Sequence, residues 1–389
     1  MNHPPSILVL DTIAYPGGSK VATRNILNAI PDKRAKVTVV TSDPNSWQGD
    51  SIDCSTLWEP RFLARQEQGV LYFLRHTLLL LSLLWARIRN GPFKVAIGAS
   101  GPGVDLALYL AQPLLGYRLF QLIHGPVARS RTIGRCLLRA DKVYYLESTR
   151  ESLLQALAAL LDPQQLNPKP SESLMESSQF EIMLNGLPRS AWPTPCQYHT
   201  PRLFWAASLL QWKGLDLLLD TLRHYFSDTQ RPPATLCYIR PRETVQATIP
   251  APQTIPGVSW HEAPENLDQL RAEGNIFIST SQQEPFGLSI LEALAAGQCL
   301  LIPHDGAYWD RMLVDQVHCI KYRPNDAEDL ATKLEFLLND SEQIKQIGEA
   351  GQRIAHSYRA DRVYGAMVRT LLSTIEEQTT TAPILSPDT

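Results

Sequence analysis

The stretch Ser281-Gln282-Gln283-Glu284-Pro285-Phe286-Gly287-Leu288-Ser289-Ile290-Leu291-Glu292-Ala293-Leu294-Ala295-Ala296-Gly297 decides how the chain is read. An apolar run ends near Ser279, a turn carries Glu284 and Gly287, and a helix begins near Leu288. Glu284 then falls in the loop before the helix, at the carboxyl edge of a sheet. Glu292 lies about one turn into the helix. Gly287 has no side chain, so a ligand can approach its backbone closely. A helix N-terminus offers N–H groups and a positive dipole end to an anion such as a diphosphate. Two carboxylates beside such a site suit a hydroxyl-rich group, because carboxylates accept strong hydrogen bonds. Taken alone, the pair has a plainer reading: Glu284 caps the helix and Glu292 faces water.

Outward from this stretch, strands and helices alternate. Ser6 to Asp11, Val37 to Thr41, Val95 to Gly98, Leu119 to Ile123, Lys142 to Leu146 and Glu181 to Leu184 read as strands in the first half. Helices are predicted to about Leu27, over Leu71 to Arg89 and over Ser148 to Leu161. In the second half, Leu203 to Ala207, Ala234 to Ile239, Asn275 to Ser279 and Cys299 to Ile302 read as strands. Helices there are predicted over Leu215 to Arg223, Leu288 to Ala296, Ala327 to Leu338, Ile344 to Tyr358 and Asp361 to Glu376. Residues 162 to 178 are polar and Pro-rich and read as a loop. The alternation predicts an α/β protein with parallel sheets. The length of 389 residues predicts two domains. The expected division is 1–190, then 191–360, then a helix over 361–378 crossing back to the first domain, then a disordered tail over 379–389.

Bulk properties exclude several classes. With 44% hydrophobic and 19% charged residues, the chain has ordinary globular composition. Residues 1–190 carry 20 Lys+Arg against 15 Asp+Glu, and residues 191–389 carry 16 against 24. A net charge of −3 and the lack of a basic stripe argue against nucleic-acid binding. The six cysteines are scattered without a Cys-x-x-Cys pair, so neither a zinc site nor a disulfide framework is expected, and free thiols suit a reducing compartment. No signal peptide is expected at the start. The apolar run Thr77 to Ala86 is shorter than the roughly 20 residues that a membrane span needs.

The spacing Glu-x7-Glu inside Glu-Pro-Phe-Gly-Leu, followed by Glu292-Ala293 and Gly297, closely resembles the donor-site motif of retaining glycosyltransferase family 4. Further positions extend the resemblance over most of the chain. Gly17-Gly18 looks like the family's glycine loop over the donor phosphates. His124-Gly125 looks like its active-site histidine position, and Asn185-Gly186 like its turn at the domain edge. Lys213-Gly214 resembles the element whose lysine meets the diphosphate. One departure stands out: the family commonly has Gly-Arg-Leu where this chain has Ala207-Ser208-Leu209, so Ser208 replaces a cation. Arg240, at a strand end, is either a substitute for that cation or a loop charge facing water.

The resemblance implies the GT-B fold: two Rossmann-like parallel-sheet domains facing across a cleft. It implies a transferase that moves a hexose from a nucleoside-diphosphate donor, UDP- or GDP-linked, to a glycan or lipid-linked acceptor in cell-surface polysaccharide or lipopolysaccharide synthesis. Catalytic roles fall on Lys213, His124 and Glu284. Donor contacts fall on Gly17, Gly18, Ser208, Lys213, Arg240, Glu284, Pro285, Phe286, Gly287, Leu288 and Glu292. No cofactor is implied. The chain has no Asp-x-Asp, in keeping with metal-independent chemistry. The implied location is cytoplasmic, with peripheral contact on the cytoplasmic membrane face. The helix Leu71 to Arg89, flanked by Arg61, Arg65, Arg75, Arg87 and Arg89, reads either as a basic apolar face on anionic lipid or as a core helix with solvated arginines. Two other functions share the expected architecture: a sugar-nucleotide epimerase, and a non-catalytic sugar-nucleotide scaffold that Ser208 would suit.

Overall fold

The computed structural model describes residues 6–31, 34–47, 52–66, 69–162, 169–242 and 244–380. Its contacts divide the chain into two units, Met1–Leu184 with Val363–Thr389, and Asn185–Arg362.

The first unit holds seven strands: β1 (Ser6–Asp11), β2 (Lys36–Thr41), β3 (Ile52–Thr56), β4 (Phe93–Gly98), β5 (Arg118–Ile123), β6 (Lys142–Tyr145) and β7 (Phe180–Ile182). They form one parallel sheet in the order β3-β2-β1-β4-β5-β6-β7. Every residue of β1 is buried, as a parallel strand covered on both faces should be. Leu8 and Leu10 of β1 share a core with Leu79 and Leu83 of the helix Gly69–Asn90 and Leu137 of the helix Arg131–Arg139. The helix Gly365–Thr380 packs on β4, where Lys94 Nζ donates to the Gln378 carbonyl at 2.9 Å.

The second unit holds β8 (Leu203–Ser208), β9 (Ala234–Ile239), β10 (Val258–Glu262), β11 (Ile276–Ile278), β12 (Cys299–Pro303) and β13 (Ile320–Tyr322). These also form a parallel sheet, in the order β10-β9-β8-β11-β12-β13. Its core joins Leu203 and Trp205 to Leu218, Leu222, Ile276, Leu301 and Leu334. The chain is thus an α/β protein of two parallel-sheet domains.

Each sheet is laid down outward from its first strand and then returns to that strand's other side. Direction reverses between β1 and β4 in the first unit, and between β8 and β11 in the second. In open sheets, the loops leaving such a pair of strands diverge to opposite faces and leave a crevice for ligands.

Some details differ from the sequence reading. The first unit ends at Leu184 rather than at residue 190. Backbone bonds from Leu187 N to the Tyr358 carbonyl and from Ala360 N to the Leu187 carbonyl, both 2.9 Å, bind residue 187 into the second unit. The loop expected over 162–178 contains a helix, Lys169–Met175, with Pro170 in its first turn, where a missing N–H costs nothing. The helix expected to run from Ile344 to Tyr358 spans Ser341–Ala355 and closes in a tighter turn, His356–Tyr358. Residues 379 and 380 belong to the last helix, and 381–389 lie outside the described residues. The helix Gly69–Asn90 runs for 22 residues, beyond the apolar run Thr77 to Ala86, and is by length and composition apolar enough to cross a membrane.

Candidate functional site

In the second unit, Lys213 follows β8 and Glu284 follows β11, the two strands that flank the point of reversal. Lys213 closes a short turn, Gln211–Lys213, and Gly214 then opens the helix Leu215–His224. Gly214 sits at φ +67°, and a Cβ there would lie 2.2 Å from the Thr280 carbonyl oxygen. Only glycine satisfies both the left-handed backbone and that approach.

The two loops are fastened together by hydrogen bonds to the backbone carbonyls of the lysine loop. Thr280 Oγ1 donates to the Lys213 carbonyl at 2.8 Å and accepts from Trp205 Nε1 at 3.1 Å. Gln282 N donates to the Trp212 carbonyl at 2.9 Å. This fastening brings Lys213 Nζ to 2.5 Å from Glu284 Oε2, with the side chains only 15% and 12% exposed. The ammonium also lies over the Trp212 ring, 4.0 Å from its centroid.

Gly287, at φ +79°, caps the helix Leu288–Ala295 with its backbone alone. The first turn has neither a side-chain cap nor an acid, so its N–H groups and dipole present an anion-attracting end beside Lys213 and Glu284. The loop between is pinned from the β12 side. Gln283 holds a left-handed backbone, φ +51°, and its N–H donates to Asp305 Oδ2 at 2.8 Å. Left-handed backbone costs a non-glycine residue about 1–2 kcal/mol, which Asp305 helps to offset. Pro285 and Leu288 are half-buried on either side.

The remaining predicted residues fall in five places. Glu292 is bound by Arg271, whose Nη2 lies 2.5 Å from Oε2, and Arg271 also reaches Asp268 at 3.0 Å. Burial pushes the Glu292 carboxyl above its ordinary range, and Arg271 opposes the shift. Ser208 ends β8, opposite Ile239.

Phe286 is turned into the protein. It is 2% exposed and packs against Tyr308, Trp309 and Tyr358 at centroid distances of 5.1, 5.3 and 6.1 Å. Its part is to anchor the loop, because an apolar ring gains most by burial. Arg240 pairs with a carboxylate of its own. Its guanidinium lies 3.2 Å from Glu262 on β10, the strand beyond β9 from β8, and donates to the Ala251 carbonyl at 3.0 Å. An exposed carboxylate close by pairs with the cation that the sequence offered either as a phosphate partner or as a loop charge facing water.

Gly17, Gly18 and His124 belong to the first unit. Gly17 is the N-cap of the helix Gly18–Asn28, again without a side-chain cap. His124 follows β5, and its Nε2 lies 3.3 Å from Thr23 Oγ1 of that same helix. Burial pushes its pKa down to about 4, so the ring is neutral at neutral pH.

Sequence reasoning missed Thr280, Asp305 and Arg271. The run Ser279-Thr280-Ser281, small hydroxyl residues at the end of an apolar strand, was a usable signal for the first. The other two carry none, because their partners are far along the chain.

Comparison with known proteins places this geometry. Residues 199–354 match the family model "Glycosyl transferases group 1". A sulfoquinovosyl transferase of Arabidopsis thaliana is 33% identical over 96 residues, 24% of this chain. That match spans about a fifth (19%) of the plant protein's length. HepE of Anabaena, solved in complex with UDP and glucose, is similar in structure with a TM-score of 0.67 at 16% identity, over 95% of this chain and 100% of HepE. Sucrose-phosphate synthase of Thermosynechococcus elongatus has a TM-score of 0.66 at 15% identity, over 95% and 99%. At such identities the likeness establishes the fold, which these neighbours share as GT-B. Residues 199–354, within the second unit, thus match a glycosyltransferase group 1 domain, and the chain as a two-domain α/β protein shares the GT-B fold.

Proposed function

We propose that the protein is a retaining, metal-independent glycosyltransferase of family 4. In this reading it moves a hexose from a UDP- or GDP-linked donor to a glycan or lipid-linked acceptor, in cell-surface polysaccharide or lipopolysaccharide synthesis. The observation that carries the reading is the Lys213–Glu284 pair at the uncapped start of the helix Leu288–Ala295. The donor diphosphate takes Lys213 and the helix N–H groups, and the freed Glu284 carboxylate accepts from sugar hydroxyls. The sugar–phosphate C–O bond breaks, and charge builds on the departing phosphate, where Lys213 and the helix dipole stabilise it. The acceptor hydroxyl attacks from the same face and passes its proton to the leaving phosphate oxygen. Glu292 serves the ribose and keeps Arg271 as its support. In the first unit, Gly17 and Gly18 are donor contacts and neutral His124 is a catalytic residue in this reading. HepE, solved with UDP and glucose and with UDP-glucose, supports a uridine donor. The protein works in the cytoplasm, at the cytoplasmic membrane face.

The test is calorimetric titration with UDP, GDP and ADP in the absence of metal, on the wild type and on Lys213→Ala. One nucleotide binds, and the variant loses about tenfold or more in affinity. Equal binding by both proteins removes Lys213 from the donor site and overturns the reading.

A further inference from the structure

The helix Gly69–Asn90 has two faces of the same chemistry. One is buried: Leu79, Leu83 and Ala86 lie in the core of the first unit. The other is exposed along its whole length, a stripe of Val70, Phe73, Leu74, Leu81, Trp85 and Ile88 at helical spacing, with Val70 83%, Trp85 57% and Ile88 74% exposed. Its polar interruption, Thr77, is internally satisfied, since its hydroxyl donates to the Phe73 carbonyl at 2.9 Å. The segment before the helix continues the surface. It is fixed there by Trp58 N donating to Ser82 Oγ at 3.0 Å and by Arg75 paired with Glu59, and it exposes Trp58 and Phe62, each 68%.

Among the described residues of 57–90 the unpaired charge is basic. The helix contains no Asp or Glu, and its last turn carries Arg87 and Arg89. Arg65 is exposed near its start. Among the described residues none of these three arginines has an ion-pair partner. Glu59 is the acid described in 57–90, and Arg75 already neutralises it. Glu67 lies outside the described residues.

We propose that this face seats the protein on an anionic lipid bilayer, with the helix lying in the plane of the interface and Trp58, Phe62, Phe73 and Trp85 inserted at headgroup depth. The proposal deepens the membrane-side reading given above and rests on it. Spanning does not fit, because the opposite face of the same helix is committed to the core of the first unit and carries the buried Arg75–Glu59 pair. A second copy of this chain fits less well. A self-complementary contact would set arginine edge against arginine edge with no acid on the face to receive them. Anionic headgroups meet both demands at once, apolar depth for the stripe and negative charge for its basic ends.

The test is co-sedimentation of the full chain with vesicles of phosphatidylglycerol and phosphatidylcholine, against vesicles of phosphatidylcholine alone, at low and high salt. UDP binding and the sedimentation mass are measured on the same preparations. Wild type partitions onto anionic vesicles and is released by salt. Phe73→Ser/Trp85→Ser/Ile88→Ser lowers the partition coefficient at least about tenfold. Arg87→Gln/Arg89→Gln lowers it about fivefold per charge on anionic vesicles and leaves phosphatidylcholine unaffected. All five substitutions are at surface positions, and unchanged thermal melts and UDP binding show that both variants fold. Failure of wild type to prefer anionic vesicles, or equal partition of the triple variant, overturns the proposal. So does a doubled mass that the triple variant abolishes, which assigns the face to a second copy. A wild type that binds nucleotide but not anionic vesicles sinks this proposal alone. Absent nucleotide binding with intact vesicle binding sinks the donor reading alone.

Discussion

Lys213 and Glu284 stand 71 residues apart in the chain and 2.5 Å apart in space, each mostly shielded from water by the other's loop. In the free protein each is the other's counter-ion, so neither charge is left unpaired in a half-buried place. A donor bringing both a diphosphate and hydroxyl groups replaces both partners together.

The first prediction follows from that exchange. Lys213→Ala lowers kcat/KM by about 10²–10³, the usual consequence of removing one stabiliser of developing charge. Glu284→Gln lowers turnover but leaves nucleotide affinity equal or higher, because Lys213 no longer has a competing anion. The double variant is less impaired than the two single losses combined, as expected of residues that act on each other. Steady-state kinetics with calorimetric nucleotide binding checks all three. Additive losses would show that the pair is not a functional unit.

Gly214→Ala is expected to destabilise the second unit by at least about 2 kcal/mol, through the left-handed backbone alone. The added methyl must also push the Thr280 carbonyl away, which loosens the tie between the lysine loop and the glutamate loop. Urea unfolding measures the first effect. A stability within error of wild type would mean that the two loops are not packed as closely as the structure has them.

Arg271→Ala strands Glu292. Burial already raises this carboxyl, and Arg271 is the largest influence holding it down. A raised carboxyl favours the protonated folded state, so its contribution to stability is present at low pH and is lost as pH rises through the folded pKa. The variant should therefore lose about 3 kcal/mol near neutral pH and recover part of it on acidification. Glu292→Gln in the same background should relieve the loss at neutral pH. Denaturant melts from pH 4.5 upward test this, and a pH-independent loss would contradict it.

His76 predicts the opposite slope in the first unit. Burial, with Arg75 beside it, pushes its pKa down to about 3, against about 6.5 in an unfolded chain. The unfolded chain takes up the proton first, so stability falls as pH drops from about 6.5 toward 3. His76→Leu should flatten this part of the acid-unfolding curve while leaving stability at pH 7 nearly unchanged. Near-UV circular dichroism over that range is the measurement, and an unaltered acid limb would place the acid sensitivity elsewhere.

Much of the fold was legible because its signals are local. Buried parallel strands such as Ser6–Asp11 and Ala234–Ile239 are short apolar runs in any context. Several of the elements that escaped notice have weak local signals. The strand Val258–Glu262 is only half-buried and reads as polar. The helix Leu106–Leu115 is apolar nearly all round and contains Pro113. The helix Lys169–Met175 hides in a Pro-rich segment.

For the site, the sequence by itself determined the residue types: a lysine before a glycine, and two glutamates framing a glycine at a helix start. These are set within a few residues of chain, where spacing alone dictates which atoms share a turn. Only the tertiary structure decided which of those residues meet. It put Lys213 on Glu284, took Arg240 away to Glu262, and turned Phe286 inward onto Tyr308 and Trp309. It also showed that the outer face of the helix Gly69–Asn90 stays uncovered. The physical reason is that ion pairing and ring burial depend on distances set by sheet order, and strands adjacent in a sheet can be many residues apart in the chain.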